Sequence, residues 1–172
     1  MSLQDDVKRI NRKLNTLGKQ QIPRAAVKAI NKVARTIGSR AMKAVAKDVG
    51  VPVKTVRGRM QIARAKGNLP TAKIRVRRSH MPAIRLLENR SNKIWVGRGG
   101  IVVGKYAIHR GFRQRLKNGR WHILQRDCRA RYPIDVTKIP VGEMITREFT
   151  KATSNYDTEI KEELINQLRD TF

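Results

Sequence analysis

A single cysteine, Cys128, excludes a disulfide within the chain and any thiolate metal cluster. No apolar run approaches the roughly 18 residues of a membrane span. The first residues, Met1-Ser2-Leu3-Gln4-Asp5-Asp6, lack the charged-then-apolar order of a secretion signal, so the chain is expected to fold in a cytoplasm. Histidines are few and scattered. His80, His109 and His122 have no i, i+4 partner of the kind a zinc helix uses. Acids are scarce where a two-metal nuclease would need them together: Glu88, Asp127 and Asp135 stand far apart. Asp135 and Lys138 are also at the wrong interval for the common acid-x-Lys pair. Gly97-Arg98-Gly99-Gly100 lacks the Lys-Ser/Thr that makes a phosphate loop specific and reads as a turn. No catalytic, cofactor-binding or metal residue is assigned, and no enzyme is expected. Aromatics make up 5% of the chain, and most are expected in a core, which argues against a stacking platform for single strands.

What the chain has is positive charge. Lysine and arginine total 39 against 13 acids, a formal net charge of +26, and residues 49–133 carry 22 of these cations with only Glu88 and Asp127 opposing them. Residues 141–172 reverse the balance, with four cations and seven acids. A field of this size speaks first about partners, and the default partner is a polyanion. The hydrophobic fraction, 40%, is enough to fold, so the chain is more than a disordered basic arm.

The pattern predicts an α+β architecture in one domain: N-terminal helices over 1–49, a basic β-rich core over 50–140 and a C-terminal helix over 141–172. A first helix is expected over about 5–17, ended by Gly18. A stronger one spans 24–48, with Val27, Ile30, Val33, Ala34, Ile37, Ala41, Ala44 and Val45 on one stripe and Gly50 as its stop. Strands are expected over 71–78, where Lys73, Arg75 and Arg77 alternate with Ile74 and Val76, and over 82–88, 93–96, 101–108 and 132–139. The C-terminal stripe runs through Val141, Ile145, Phe149, Ala152, Tyr156, Ile160, Leu164 and Leu168, with an interruption near Thr153-Ser154-Asn155. That helix is assigned to the domain's own sheet in preference to a neighbouring subunit.

Asn118-Gly119 between two alternating runs predicts a two-residue type I′ hairpin. In that register Lys117 faces Arg120 and Arg115 faces His122. Arg113, Arg115, Lys117 and Arg120 then share one face, opposite Phe112, Leu116, Trp121 and Ile123. Like charges placed opposite each other cost stability, so such a face is expected to meet DNA or an acidic partner. Lys73, Arg75 and Arg77, and Arg98 in its glycine turn, join the same set of contact candidates. Arg57 and Arg59 enter it through residues 51–59, the basic segment of a stretch whose residues 45–57 resemble the turn and recognition helix of a helix-turn-helix. The unusual length of the helix before that turn, and the strands after it, favour an ordinary helix stop.

The phrase Gly111-Phe112-Arg113-Gln114-Arg115-Leu116-Lys117-Asn118-Gly119-Arg120-Trp121-His122-Ile123-Leu124-Gln125-Arg126 and its continuation Arg131-Tyr132-Pro133-Ile134-Asp135-Val136-Thr137-Lys138-Ile139-Pro140 resemble the minor tail protein Z family of lambdoid phages and prophages. Ala29-Ile30-Asn31-Lys32-Val33-Ala34, Ala72-Lys73-Ile74-Arg75-Val76 and Pro82-Ala83-Ile84-Arg85-Leu86 match it more loosely. Residues 90–105 are where family members are expected to differ. The resemblance implies a non-enzymatic tail-completion protein at the head-proximal end of the tail, found in the virion and needed for head–tail joining. It implies tail terminator, tail tube and head–tail connector proteins as partners, a homo-oligomer such as a hexameric ring, and non-specific contact with genomic DNA. No cofactor or membrane is implied. Without the resemblance, a sequence-specific helix-turn-helix regulator and a basic RNA-binding protein of the ribosomal type remain as readings.

Overall fold

The computed structural model describes residues 18, 21–67 and 70–169, so the helix expected over 5–17 lies outside the described residues. Elements run α1 (Ile22–Val49), α2 (Val53–Arg57), β1 (Met60–Ala63), β2 (Lys73–Val76), β3 (Met81–Pro82), a 3₁₀ helix (Ala83–Glu88), β4 (Ile94–Gly97), β5 (Gly100–Val103), β6 (Tyr106–His109), β7 (Gly111–Arg115), β8 (Trp121–Arg126), β9 (Ile134–Val136), β10 (Lys138–Ile139), α3 (Gly142–Ala152) and α4 (Tyr156–Arg169). Helices at both ends with strands between them make the expected α+β protein.

α1 is the helix expected over 24–48, and it ends as its glycine dictates. Gly50 sits at φ +80°, and the Gly50 and Val51 amides both donate to the Ala46 carbonyl, at 2.9 and 3.0 Å. A left-handed residue after the last turn is cheap for glycine and closes the helix end. The buried line differs from the expected stripe. Ala25, Ala29, Val33, Ile37, Ala41, Val45 and Val49 are buried, each four residues after the last, while Val27, Ile30 and Ala44 are only half-buried. Steps of four overshoot a turn of 3.6 residues, so the contact line winds around the helix and a fixed wheel misplaces its ends.

The described residues form two compact units. One contains α1 as far as Arg40, Gln61–Arg75 and the described residues from Lys151 onward. In it Asn31 exchanges two hydrogen bonds with the Ala65 backbone, at 2.9 and 3.0 Å. α4 is tied to α1 by Lys32–Glu163 at 2.8 Å and Arg40–Glu159 at 2.6 Å, a spacing that sets the two helices antiparallel. Hydrogen bonds from Lys32 and Gln167 hold the Glu163 carboxyl below its ordinary range. α4 has no fully buried residue. Glu159 and Glu163 thus serve α1, and part of the acidic C-terminus is spent within the chain, whereas Val141 and Ile145, from the first half of the expected helix, are buried with the strand residues of the main core. The expected interruption is present, because α3 stops at Ala152 and α4 starts at Tyr156.

The second unit, Ala41–Met60 and Val76–Thr150, holds the main core. Met42, Val45, Val49, Met81, Leu86, Ile101, Val103, Ile123 and Ile145 are all below 2% exposed. These side chains are aliphatic. Tyr106 and Phe149 only pack against the cluster. Three small sheets belong to this unit, β3–β10, β4–β5–β6 and β7–β8–β9, while the β1–β2 pair falls mostly within the first.

Of the expected strands, one is replaced and two are divided. Over 82–88 the strand ends at Pro82 and a 3₁₀ helix follows, burying Ala83 and Leu86. Apolar residues three apart suit a threefold turn, where i and i+3 eclipse, better than an alternating strand. The run 101–108 breaks at Gly104-Lys105 into β5 and β6. Gly104 has φ +56°, and a Cβ there would lie 2.9 Å from Asn92 Oδ1. Asn92 in turn donates to the Gly50 and Leu86 carbonyls, at 2.7 and 2.8 Å, joining the α1 stop to the 3₁₀ helix. The run 132–139 is also divided, into β9 and β10.

Candidate functional site

The hairpin exists, but with another turn and another register. β7 and β8 pair as Phe112↔Leu124, Arg113↔Ile123, Gln114↔His122 and Arg115↔Trp121. Leu116 donates to the Arg120 carbonyl and Gly119 to the Leu116 carbonyl, both at 2.9 Å, which leaves Lys117, Asn118 and Gly119 as a three-residue loop. Of those three only Gly119 has positive φ, +74°. A type I′ turn needs positive φ at both central residues, and the loop instead has the form that ends in a left-handed glycine. The Asn118 side chain accepts from the Arg120 amide at 3.0 Å.

A slip of one residue exchanges faces. Arg113 and Arg115 stand with Trp121 and Ile123, while His122 stands with Phe112, Gln114 and Leu124. The expected like-charge pairs across the ribbon do not form. Instead the Arg113 guanidinium lies over the Trp121 ring, 4.3 Å from its centroid, and Arg126 lies 5.2 Å from that of Phe112. Such contacts pair each cation with a ring's negative face.

Arg113, Arg120, Trp121 and His122 form one side of an open cleft of about 680 Å³, and Pro82, Ile84, Arg85, Leu87 and Glu88 form the other. Arg113 and Arg120 are thus brought together with a cation outside the predicted set, Arg85. The one acid on this wall is already engaged. Glu88 accepts hydrogen bonds from Thr55 and Arg85. Burial pushes its carboxyl up, but those bonds and the charges of Arg85 and Lys54 outweigh it, and the net displacement is downward. A depressed folded value means stability that is present above the ordinary glutamate range and lost as pH falls through the depressed value. Glu88→Gln should therefore cost about 0.5–1 kcal/mol near neutrality, discounted for a side chain 37% exposed. The difference from the parent should shrink in urea melts as pH falls below the ordinary glutamate range and vanish once the depressed value is passed.

The remaining predicted contacts are dispersed. Arg115 folds back on its own loop, donating to the Gly119 carbonyl at 3.0 Å, and Lys117 is exposed in that loop. Arg98 is exposed in the β4–β5 turn, and Arg57 is exposed at the end of α2. Arg59 is a structural residue, donating to the carbonyls of Arg77, Ser79 and His80. Burial, then the charge of Arg77, lowers its pKa. Lys73 and Arg75 are exposed along β2, which pairs with β1, and Arg77 is exposed just after it. No contact gathers the ten into one patch. α2 has five residues and is followed by β1, the ordinary helix stop expected at Gly50.

Sequence reasoning missed the aromatics. Trp95 is 71% exposed, Tyr132 67%, Tyr156 47% and Trp121 46%, so the core claims far fewer than expected. It also missed an ion cluster at the end of α1. Asp48 pairs with Arg147 at 2.6 Å and Lys105 at 3.5 Å, beside Tyr106 and Asn92, in a cleft of about 580 Å³. Lys105 also donates to the Asp48 carbonyl, placing a cation where the helix end exposes its acceptors. Burial, then Asp48, raises the Tyr106 pKa. Among the described residues no three His, Cys, Asp or Glu side chains gather as a metal site, and no helix is long and apolar enough to cross a membrane.

Known proteins resemble this chain over most of its length. The chain is 39% identical over 142 residues to the tail completion protein of Escherichia phage N15, covering 79% of this chain and 77% of that one. It is 36% identical over 150 residues to tail completion protein Z of Escherichia phage lambda, covering 79% and 78%. No solved structure gives a significant match. The model of the prophage minor tail protein Z family matches residues 7–172, nearly the whole length, and the chain belongs to that family.

Proposed function

We propose that the protein is a structural, non-enzymatic component that completes a phage tail at its head-proximal end and is needed to join tail to head. The observation that carries this reading is the family match over residues 7–172 together with two relatives named as tail completion proteins. Its place is the virion tail, reached after folding in the host cytoplasm. Its partners are the tail terminator, tail tube and head–tail connector proteins, met by several copies arranged as a ring such as a hexamer. Genomic DNA is a further partner, held through phosphates and without base readout. Exposed Arg57, Lys73, Arg75, Arg77, Arg98, Arg113, Lys117 and Arg120 support that contact.

Deleting the gene should leave heads and tails of normal appearance and few infectious particles, and the gene supplied in trans should restore the titre. Purified virions should contain the protein. An unchanged titre after deletion would sink the proposal.

A further inference from the structure

The sheet β4–β5–β6 covers the core with one face, and among the described residues the other is bare. Ile101, Val103 and Ile108 are buried on its inner side. On the outer side Trp95 stands beside Val102 and Val102 beside Ala107, an apolar row across all three strands. The next row is Gly97, Gly100 and His109. Two of its three positions carry no side chain, so a shallow groove of about 400 Å³ runs beside Trp95. Trp95 and Val96, at 71% and 75%, are the most exposed large apolar residues described. Among the described residues β4 pairs only with β5, which leaves its outer edge unpaired. Proteins usually blunt such an edge with charge, proline or a bulge. Along Ile94–Gly97 there is none of these; cations stand only at its ends, Lys93 and Arg98.

We propose that this edge and the Trp95–Val102–Ala107 row receive an extended segment of another phage protein, added to β4 as a fourth strand. The segment is apolar in its middle and carries Asp or Glu at its ends. Strand addition supplies backbone hydrogen bonds, and the groove beside Trp95 takes one large apolar side chain. The charge requirement comes from the surroundings. No acid lies between Glu88 and Asp127, a stretch that includes Arg90, Lys93, Arg98, Lys105 and Arg110. A second copy is a poor occupant. Antiparallel pairing of β4 with itself about Trp95 and Val96 sets Lys93 of one copy opposite Arg98 of the other, and opposed like charges destabilise a strand pair. No other described strand of the chain supplies acidic ends either, since Asp135 is the one acid in them.

The inference rests on the tail-completion reading for the source of the partner. The probe is tails purified from cells lacking this protein, mixed with the full-length chain carrying a photo-cross-linking amino acid at position 96. The expected product is a cross-link to a different tail or neck protein, within a segment flanked by Asp or Glu. Trp95→Lys and Val96→Lys should each lower uptake into tails at least tenfold while leaving the melting temperature unchanged. A cross-link within this chain or to a second copy overturns the inference, as does undiminished uptake of both variants. If the unsubstituted protein also fails to join the tails, the tail-completion reading falls with it.

Discussion

Replacing Gly100 with alanine should cost about 4 kcal/mol or more of folding stability, at the far end of single-substitution effects. Gly100 has φ +141°, a region L side chains rarely adopt. A Cβ there would lie 2.2 Å from the Ile108 carbonyl oxygen and 2.8 Å from the Arg110 amide nitrogen. Both atoms are backbone of the neighbouring strand, so no flexible side chain can yield. Relief would require breaking the β5–β6 pairing, which holds Ile101 and Ile108 against the core. For a chain of this size the loss corresponds to a fall of about 10 °C in the thermal midpoint. Gly97→Ala and Gly99→Ala are the controls, because a Cβ at either meets nothing within 4 Å. Each should change stability by no more than about 0.5 kcal/mol. A thermal melt of Gly100→Ala that overlays its two controls would show that the turn accommodates a side chain.

Gly100 also shows where the sequence could be read and where it could not. Gly97-Arg98-Gly99-Gly100 is legible as a turn because glycines cluster there, but which glycine is indispensable depends on the β6 strand, whose Ile108 lies eight residues later. The long α1, its stop at Gly50 and the break over 153–155 are local matters of apolar spacing, backbone freedom and helix-poor residues, and each was legible. The hairpin was legible as a hairpin, whereas its register rested on assigning positive φ to Asn118 as well as Gly119. The 3₁₀ helix at 83–88 was hidden because the segment was read as a strand, whereas the residues it buries fully, Ala83 and Leu86, stand three apart. Aromatic exposure was the least legible property. Trp95 looks like a core residue in a short apolar strand, and only its pairing shows that it stands on the face opposite Ile101 and Val103. The family resemblance carried further than these elements because a shared phrase over 111–140 does not depend on register.

Changing Arg57, Arg98, Lys117 and Arg120 together to glutamine should weaken duplex DNA binding by about two orders of magnitude while leaving the fold intact. All four are exposed. The change should be read as a salt slope. Each phosphate contact contributes about 0.9 to the fall of log K with log salt concentration, so four lost contacts lower the slope by about 3.6. Between about 50 and 200 mM salt, that difference in slope narrows the gap between parent and variant by roughly a hundredfold. Arg59→Gln is a useful contrast, because its guanidinium is committed to three carbonyls rather than to solvent. It should lower stability more than it lowers the slope. The same titration separates the uses of charge. Equal curves for unrelated duplex sequences fit contact through phosphates alone, whereas a base-reading regulator would prefer its site by about a thousandfold or more. An unaltered slope in the fourfold variant would show that these cations meet no DNA, and the positive field would then belong to acidic protein neighbours at the end of the tail.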